Sequence, residues 1–375
     1  MTKKATFTTL LILTLLTLTA CDSNGGESGN TTVQQDQQNI EASLDALLDA
    51  ARDMEEGSLS QFVKTFAGAN EGNYQNEDWA ENMIDELDPL VAVDDEDRLA
   101  FDDNQGRYAW NASAEAWEQT GNSGDFVLEF PTSPSESVND ATLTVTSYED
   151  QRVVFADDGE FEDADEVWLP TSAEAEMTVG GERAGGVTLN EAQYATGDFG
   201  IPTSVDLQIE TAPFTHQIQW TRNEPTDFDL NVTLQNGGEQ VLNLTANAGI
   251  ADDDYADFEL EEDLESLSGT LSFGGGMRIE FDGTLGRLLQ LDDPSPAQIN
   301  EALNAVLFYN DQRIGELEYR ERREAASEDE TAQEEGVYIV YKDDTSENAA
   351  RYYEDFAESL ELIVFDYTGD FVDFE

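Results

Sequence analysis

Residues 204–248 run SVDLQIETAPFTHQIQWTRNEPTDFDLNVTLQNGGEQVLNLTANA, and their period of two decides the fold. Val205, Leu207 and Ile209 share one face of an extended chain, as do Phe214, His216, Ile218 and Trp220, then Phe228, Leu230, Val232 and Leu234. Asn236-Gly237-Gly238 turns the chain, and Leu242, Leu244 and Ala246 lead it back. Alternation of this kind, broken by glycine-bearing turns, predicts neighbouring antiparallel strands with one wet side.

The pattern extends both ways. Upstream, 107–111, the stretch around Trp117, 126–130, 142–148, 153–155, 167–169 and 174–179 read as strands, with Gly180-Gly181 a hairpin turn and Gly185-Gly186 a bulge or bend. Downstream, Leu271 and Phe273, then Met277, Ile279 and Phe281, repeat the alternation across a turn at Gly274-Gly275-Gly276, after an acidic loop at 251–266. Arg313–Tyr319 and Val337–Tyr341 are two more strands, joined through a charged loop at 321–335, and Asp343-Asp344 forms a turn. Helical spacing marks 40–66, interrupted at Gly57-Ser58, then Trp79–Leu87, a helix near 296–308 with Ser295 as N-cap and Pro296 in its first turn, and a final amphipathic helix on Ala349, Tyr353, Phe356, Leu360 and Ile363. The expected class is α+β and β-rich: a long antiparallel meander, curved into a half-barrel in one version, with helices at the start, near 296–308 and at the C-terminus. Residues 40–375 are expected to form one β-rich domain, with a C-terminal α/β subdomain from 294 as the alternative.

The N-terminus carries a different signal. Lys3 and Lys4 precede the apolar run 10–18, which is followed by Leu18-Thr19-Ala20-Cys21. Charge, short apolar run and small residues make a secretory signal peptide over 1–20. The run falls short of the roughly 20 apolar residues that a membrane span needs. Leu18-Thr19-Ala20-Cys21 resembles the lipobox of bacterial lipoproteins. That resemblance implies a diacylglyceryl thioether on Cys21, cleavage before it, and acylation of the new amine, so that the partner of this end is a lipid bilayer. Two or three acyl chains hold a protein firmly where one does not. Residues 21–39, rich in Gly, Ser, Asn and Gln, read as a flexible tether. Asp22 is a retention signal for the inner membrane in some Gram-negative bacteria; the expected location is the cell envelope, on the inner or the outer membrane.

The chain has 83 acidic and 17 basic residues and a formal charge of −66. Loss of 1–20 removes two lysines and no acids, which brings the mature chain to −68. Aromatics are nevertheless 10% of the residues, too many for a disordered acidic tail. The balance resembles that of proteins from extreme halophiles, where about 1 M salt shortens the Debye length to about 3 Å and neighbouring carboxylates barely repel. Such a surface excludes nucleic acid as a charge-driven partner. The body resembles uncharacterised envelope lipoproteins of halophilic bacteria.

Chemistry-bearing motifs are sparse. Carboxylate pairs carry little information in so acidic a chain. Asp102, Asn104 and Gly106, and the run Asp252-Asp253-Asp254, are weak calcium candidates: the first has alternate oxygen ligands near a glycine but lacks the remainder of a calcium loop. A Ser-His-Asp triad would have to use His216, the sole histidine, which falls inside a strand pattern. With one His and one Cys, a zinc site built from these residues within one chain is excluded, and Gly274–Gly276 lacks the Lys-Ser/Thr of a phosphate loop. Tyr108, Trp110, Trp117, Trp168 and Trp220 fall on strands, as core residues or as rings lining a cleft. No cofactor and no catalytic residue is expected. The expected function is a non-enzymatic structural or assembly role in the envelope, in contact with an envelope protein. The alternatives are carriage of an apolar ligand between sheet and helices and, less favoured, acid-pair hydrolysis.

Overall fold

The computed structural model describes residues 31–70, 73–74, 76–87, 101–154, 166–195, 201–253, 255, 263–291, 294–321 and 335–352. In chain order these form α1 (Val33–Glu55), α2 (Ser58–Ala67), β1 (Ala69–Asn70), β2 (Asn73–Tyr74), α3 (Glu77–Asp85), α4 (Phe101–Asn104), β3 (Gly106–Asn111), β4 (Ala116–Gly121), β5 (Phe126–Phe130), β6 (Ala141–Val154), β7 (Glu166–Val179), β8 (Glu182–Tyr194), β9 (Pro202–Thr211), β10 (Phe214–Glu224), β11 (Asp227–Asn236) and β12 (Glu239–Ile250). There follow β13 (Leu264–Phe273), β14 (Met277–Thr284), α5 (Gly286–Leu289), α6 (Pro296–Ala302), β15 (Leu303–Tyr309), β16 (Gln312–Arg320), β17 (Gly336–Tyr341) and β18 (Ser346–Asn348). Sixteen strands, β3 to β18, hydrogen-bond in chain order except at one end, where the order is β6-β5-β3-β4; β18 and β4 are the free edges, so the sheet does not close. The meander is antiparallel, but β3 and β5 pair in parallel because β4 folds back on the outside.

The described residues fall into two compact units, one holding 31–50, 221–234 and 239–352, the other 51–220 and 235–238. In the first, the register stacks Leu244, Leu271, Ile279 and Leu307 across β12–β15 on one face. α1 covers that face with Ile40, Leu44 and Leu47. β14 therefore alternates cleanly, with Met277, Ile279 and Phe281 buried and Asp282 and Thr284 exposed. Gly274 has φ +57 and a Cβ there would stand 2.2 Å from the Ser43 carbonyl oxygen, so only glycine lets α1 sit this close to the turn. In the second unit, Phe62 and Phe66 of α2 with Trp79 and Met83 of α3 pack on Tyr108, Trp110, Leu128 and Phe130. Phe62 and Phe66 both meet the Phe130 ring edge-on.

Four differences from the sequence expectations have physical causes. First, α1 begins at Val33, inside the stretch read as tether. Thr32 and Gln35 cap it: the Thr32 N–H donates to Gln35 Oε1 at 2.9 Å and the Gln35 N–H to Thr32 Oγ1 at 3.3 Å. Second, the helix near 296–308 stops at Ala302. Leu303–Tyr309 is a strand between β14 and β16, with Ala305 and Leu307 buried, so the apolar spacing at 299, 303, 306 and 307 mixed two elements. Ser295 and Pro296 hold the predicted cap positions, and Gln298 Oε1 accepts from the Ser295 N–H at 2.9 Å. Third, the short runs at 142–148 and 153–155, and at 167–169 and 174–179, belong to two long strands, β6 and β7. Register shifts between Val145 and Ser147 and between Glu149 and Asp150 flip the buried face and break the alternation. Fourth, β15 pairs with β14, so the chain from 294 continues the same sheet. The expected signal peptide, Cys21 and most of the expected C-terminal helix lie outside the described residues.

Candidate functional site

A polar cluster lies in the first unit where α1 meets β17 and β18. Register places Glu347 opposite Ile339 on the face that α1 covers. A carboxylate there needs donors, and four supply them. Glu347 Oε1 accepts from the Tyr341 hydroxyl and, at 2.5 Å, from the Tyr352 hydroxyl. Oε2 accepts from Gln37 Nε2 at 2.9 Å and from Arg351 Nη1 at 2.8 Å. Burial pushes the Glu347 carboxyl up, but the bonds from Tyr341, Tyr352 and Gln37 and the Arg351 charge outweigh it, so its pKa lies below the ordinary glutamate value. Burial and donation to Glu347 push both tyrosines well above theirs.

Arg351 also reaches Glu41 Oε1 of α1 at 2.8 Å. Nearer the start of α1, Lys342 Nζ stands 3.1 Å from Oδ2 of Asp36, which is only 1% exposed. That oxygen has the lysine charge near it but no hydrogen-bond donor. Lys342 Nζ also donates to the Thr31 hydroxyl. Thr31, Asp36, Gln37 and Glu41 thus all touch β18 or the residues that flank it. The reading of 21–39 as tether missed the first three, although the Thr32-x-x-Gln35 spacing marks a helix start.

The second unit has a different feature. All ten residues of β9 are half-buried, on both faces, unlike the buried-exposed alternation of β14. Among the described residues neither face of β9 is fully buried. Its apolar side continues across register: Val187 lies opposite Ile209, Leu189 opposite Leu207 and Ala192 opposite Val205. On β7, Ala175 and Ala173 face Val187 and Leu189. Val187 is 42% exposed. Among the described residues α2 meets this side at one end, where Leu59 approaches Gly185. Ile218 and Trp220 on β10 are half-buried as well, and Trp220 Nε1 donates to the Pro202 carbonyl at 3.1 Å.

The residues singled out by sequence fall as follows. Asp102 and Asn104 sit in the single helical turn of α4, where residues two apart point to different sides and do not converge on one ion. Asp102 Oδ1 accepts from Gln105 Nε2 at 3.5 Å, and the Asn104 carbonyl accepts from the Tyr108 hydroxyl at 3.1 Å. Asp252 is exposed, while Asp254 and Cys21 lie outside the described residues. Among the described residues no group of three or more His, Cys, Asp or Glu is placed to hold a metal ion. His216 Nε2 meets the Thr211 hydroxyl at 3.2 Å, and burial lowers its pKa. Tyr108 and Trp110 are buried in the core under α3; Trp117 is half-buried and donates from Nε1 to the Met83 carbonyl at 3.0 Å. Trp168 is half-buried on β7. Gly274–Gly276 forms the turn between β13 and β14.

Among the described residues no helix is long and apolar enough to cross a membrane. No protein-family model, no curated protein and no solved structure matches the chain.

Proposed function

We propose that the protein is a lipid-anchored envelope protein of a halophilic bacterium whose body assembles with an envelope partner and does no chemistry of its own. Leu18-Thr19-Ala20-Cys21 after a basic and apolar leader supports the anchor, and the formal charge of −66 supports the saline setting. The observation that carries the assembly role is the half-buried strand β9 with its exposed neighbour Val187. Apolar side chains left open on a sheet are costly in water and mark places where another surface fits. An apolar ligand on the same strands is the second reading, favoured by the aliphatic ladder Val187–Ile209 and Leu189–Leu207.

A photo-crosslinking residue at position 187, in cells grown at high salt, separates the two. A discrete protein adduct supports assembly. Absence of an adduct, with a stoichiometric apolar molecule in organic extracts of the purified protein, would replace assembly with carriage. Neither adduct nor bound molecule would overturn both.

A further inference from the structure

We infer that the anchor holds the short-turn end of the first unit against the bilayer, with strands β13–β17 rising away from it; this rests on the lipidation of Cys21 proposed above. Across β13–β18 the tight turns all lie at one end of the strands. They are Gly274–Gly276 between β13 and β14, Asn310-Asp311 between β15 and β16, and the turn from Lys342 to Thr345 between β17 and β18. Register shows the same: Phe273 pairs with Met277, Met277 with Tyr309, and Tyr309 with Gln312. The long connections, from β12 to β13, from β14 through α5 and α6 to β15, and from β16 to β17, leave from the other end.

The chain enters at the short-turn end. The Thr31 hydroxyl accepts from the Lys342 ammonium, Asp36 pairs with the same lysine, and the backbone of Ser43 lies against Gly274. The cap on Thr32 and the buried Asp36 fix this entry point to the sheet, so it does not swing freely. Thr31 follows Cys21 by ten residues, a length that reaches at most about 35 Å fully extended. The eight residues of β14 span about 25 Å. The far end of the strands therefore stands off from the entry point by a further strand length. Asp311, Asp343 and Asp344 put carboxylates on the near end. That end meets headgroups without inserting, and does so where salt screens the charge.

The test uses the full lipidated chain in phosphatidylcholine vesicles at molar salt, with acceptor-labelled lipid headgroups. Cys21 is the only cysteine, so once acylated it leaves any new cysteine as the sole free thiol. Gln312→Cys places a donor dye beside a short turn and Ala297→Cys places one on α6; both side chains are exposed, so neither change should disturb the fold. Mass measurement of the N-terminal peptide accompanies each sample. The expected result is a lipidated Cys21 and energy transfer from position 312 greater than from 297, by roughly twofold or more given a separation of about 25 Å. Lipidated protein with equal or reversed transfer overturns the orientation and leaves the anchor standing. A Cys21 without lipid overturns both.

Discussion

Glu347→Gln tests whether the polar cluster fastens α1 to the sheet. The substitution keeps the shape of the side chain, removes its charge and replaces one acceptor oxygen by a donor. Charge-assisted hydrogen bonds are roughly twice as strong as neutral ones, so the bonds from the buried Tyr341 and Tyr352 hydroxyls each lose about 1 kcal/mol. The new amide group faces Gln37 or Arg351, both donors, which costs about 1 kcal/mol more. The Arg351 side chain is 50% exposed, so its ion pair adds little. The total is about 3 kcal/mol, or a fall in Tm of about 6–12 °C for a unit of this size. Because the folded Glu347 has a depressed pKa, its contribution is complete above the unfolded value near 4.5 and is lost as pH falls through the folded value. The gap between wild type and Glu347→Gln should therefore be full at pH 7 and narrow below about pH 4.5. Thermal unfolding by circular dichroism in molar salt reads both. A shift under about 1 °C at pH 7, where about 6 °C or more is expected, or a gap that widens in acid, would refute the reasoning.

Three further outcomes follow from the same structure. Lys342→Met strands the buried Asp36 carboxylate and should cost about 3–5 kcal/mol, whereas Arg351→Met, which loses two ion pairs from an exposed guanidinium, should cost less; chemical unfolding of both in one salt buffer orders them. Dilution from molar to millimolar salt should loosen or unfold the chain, because the unscreened charge of −66 repels itself; unchanged circular dichroism would count against a halophilic fold. His216, the only histidine, should titrate in NMR with a midpoint below 6.5, and the stability it contributes is present above 6.5 and lost as pH falls toward that midpoint. A midpoint above 6.5 would show that its ring is not desolvated.

Much of the sheet was legible where apolar residues recur in short extended runs between turn residues. β5, β14 and β17 match the sequence reading closely, and the glycine turns at 180–181, 237–238 and 274–276 fall where their residue types demand. β6 and β7 were legible only in pieces, since bulges shift the buried face halfway along. The strand Leu303–Tyr309 was hidden because Ile299 at the end of a helix and Leu303 at the start of a strand happen to lie four apart. The parallel β3–β5 pair was not legible at all, as local alternation says nothing about which neighbour a strand takes. The polar cluster at Glu347 joins Gln37 to a residue 310 positions away. Long-range pairing of this kind has no local signature, although the cap that starts α1 did. The open side of β9 was foreshadowed by apolar alternation without a matching second layer, but its exposure required the structure.

The most direct test of the lipid anchor is the mass of the N-terminal peptide from membranes of the producing cell. The expected result is a chain that begins at Cys21 and carries a diacylglyceryl group there, lost in Cys21→Ser. A mature chain that begins elsewhere, or an unmodified Cys21, would contradict it.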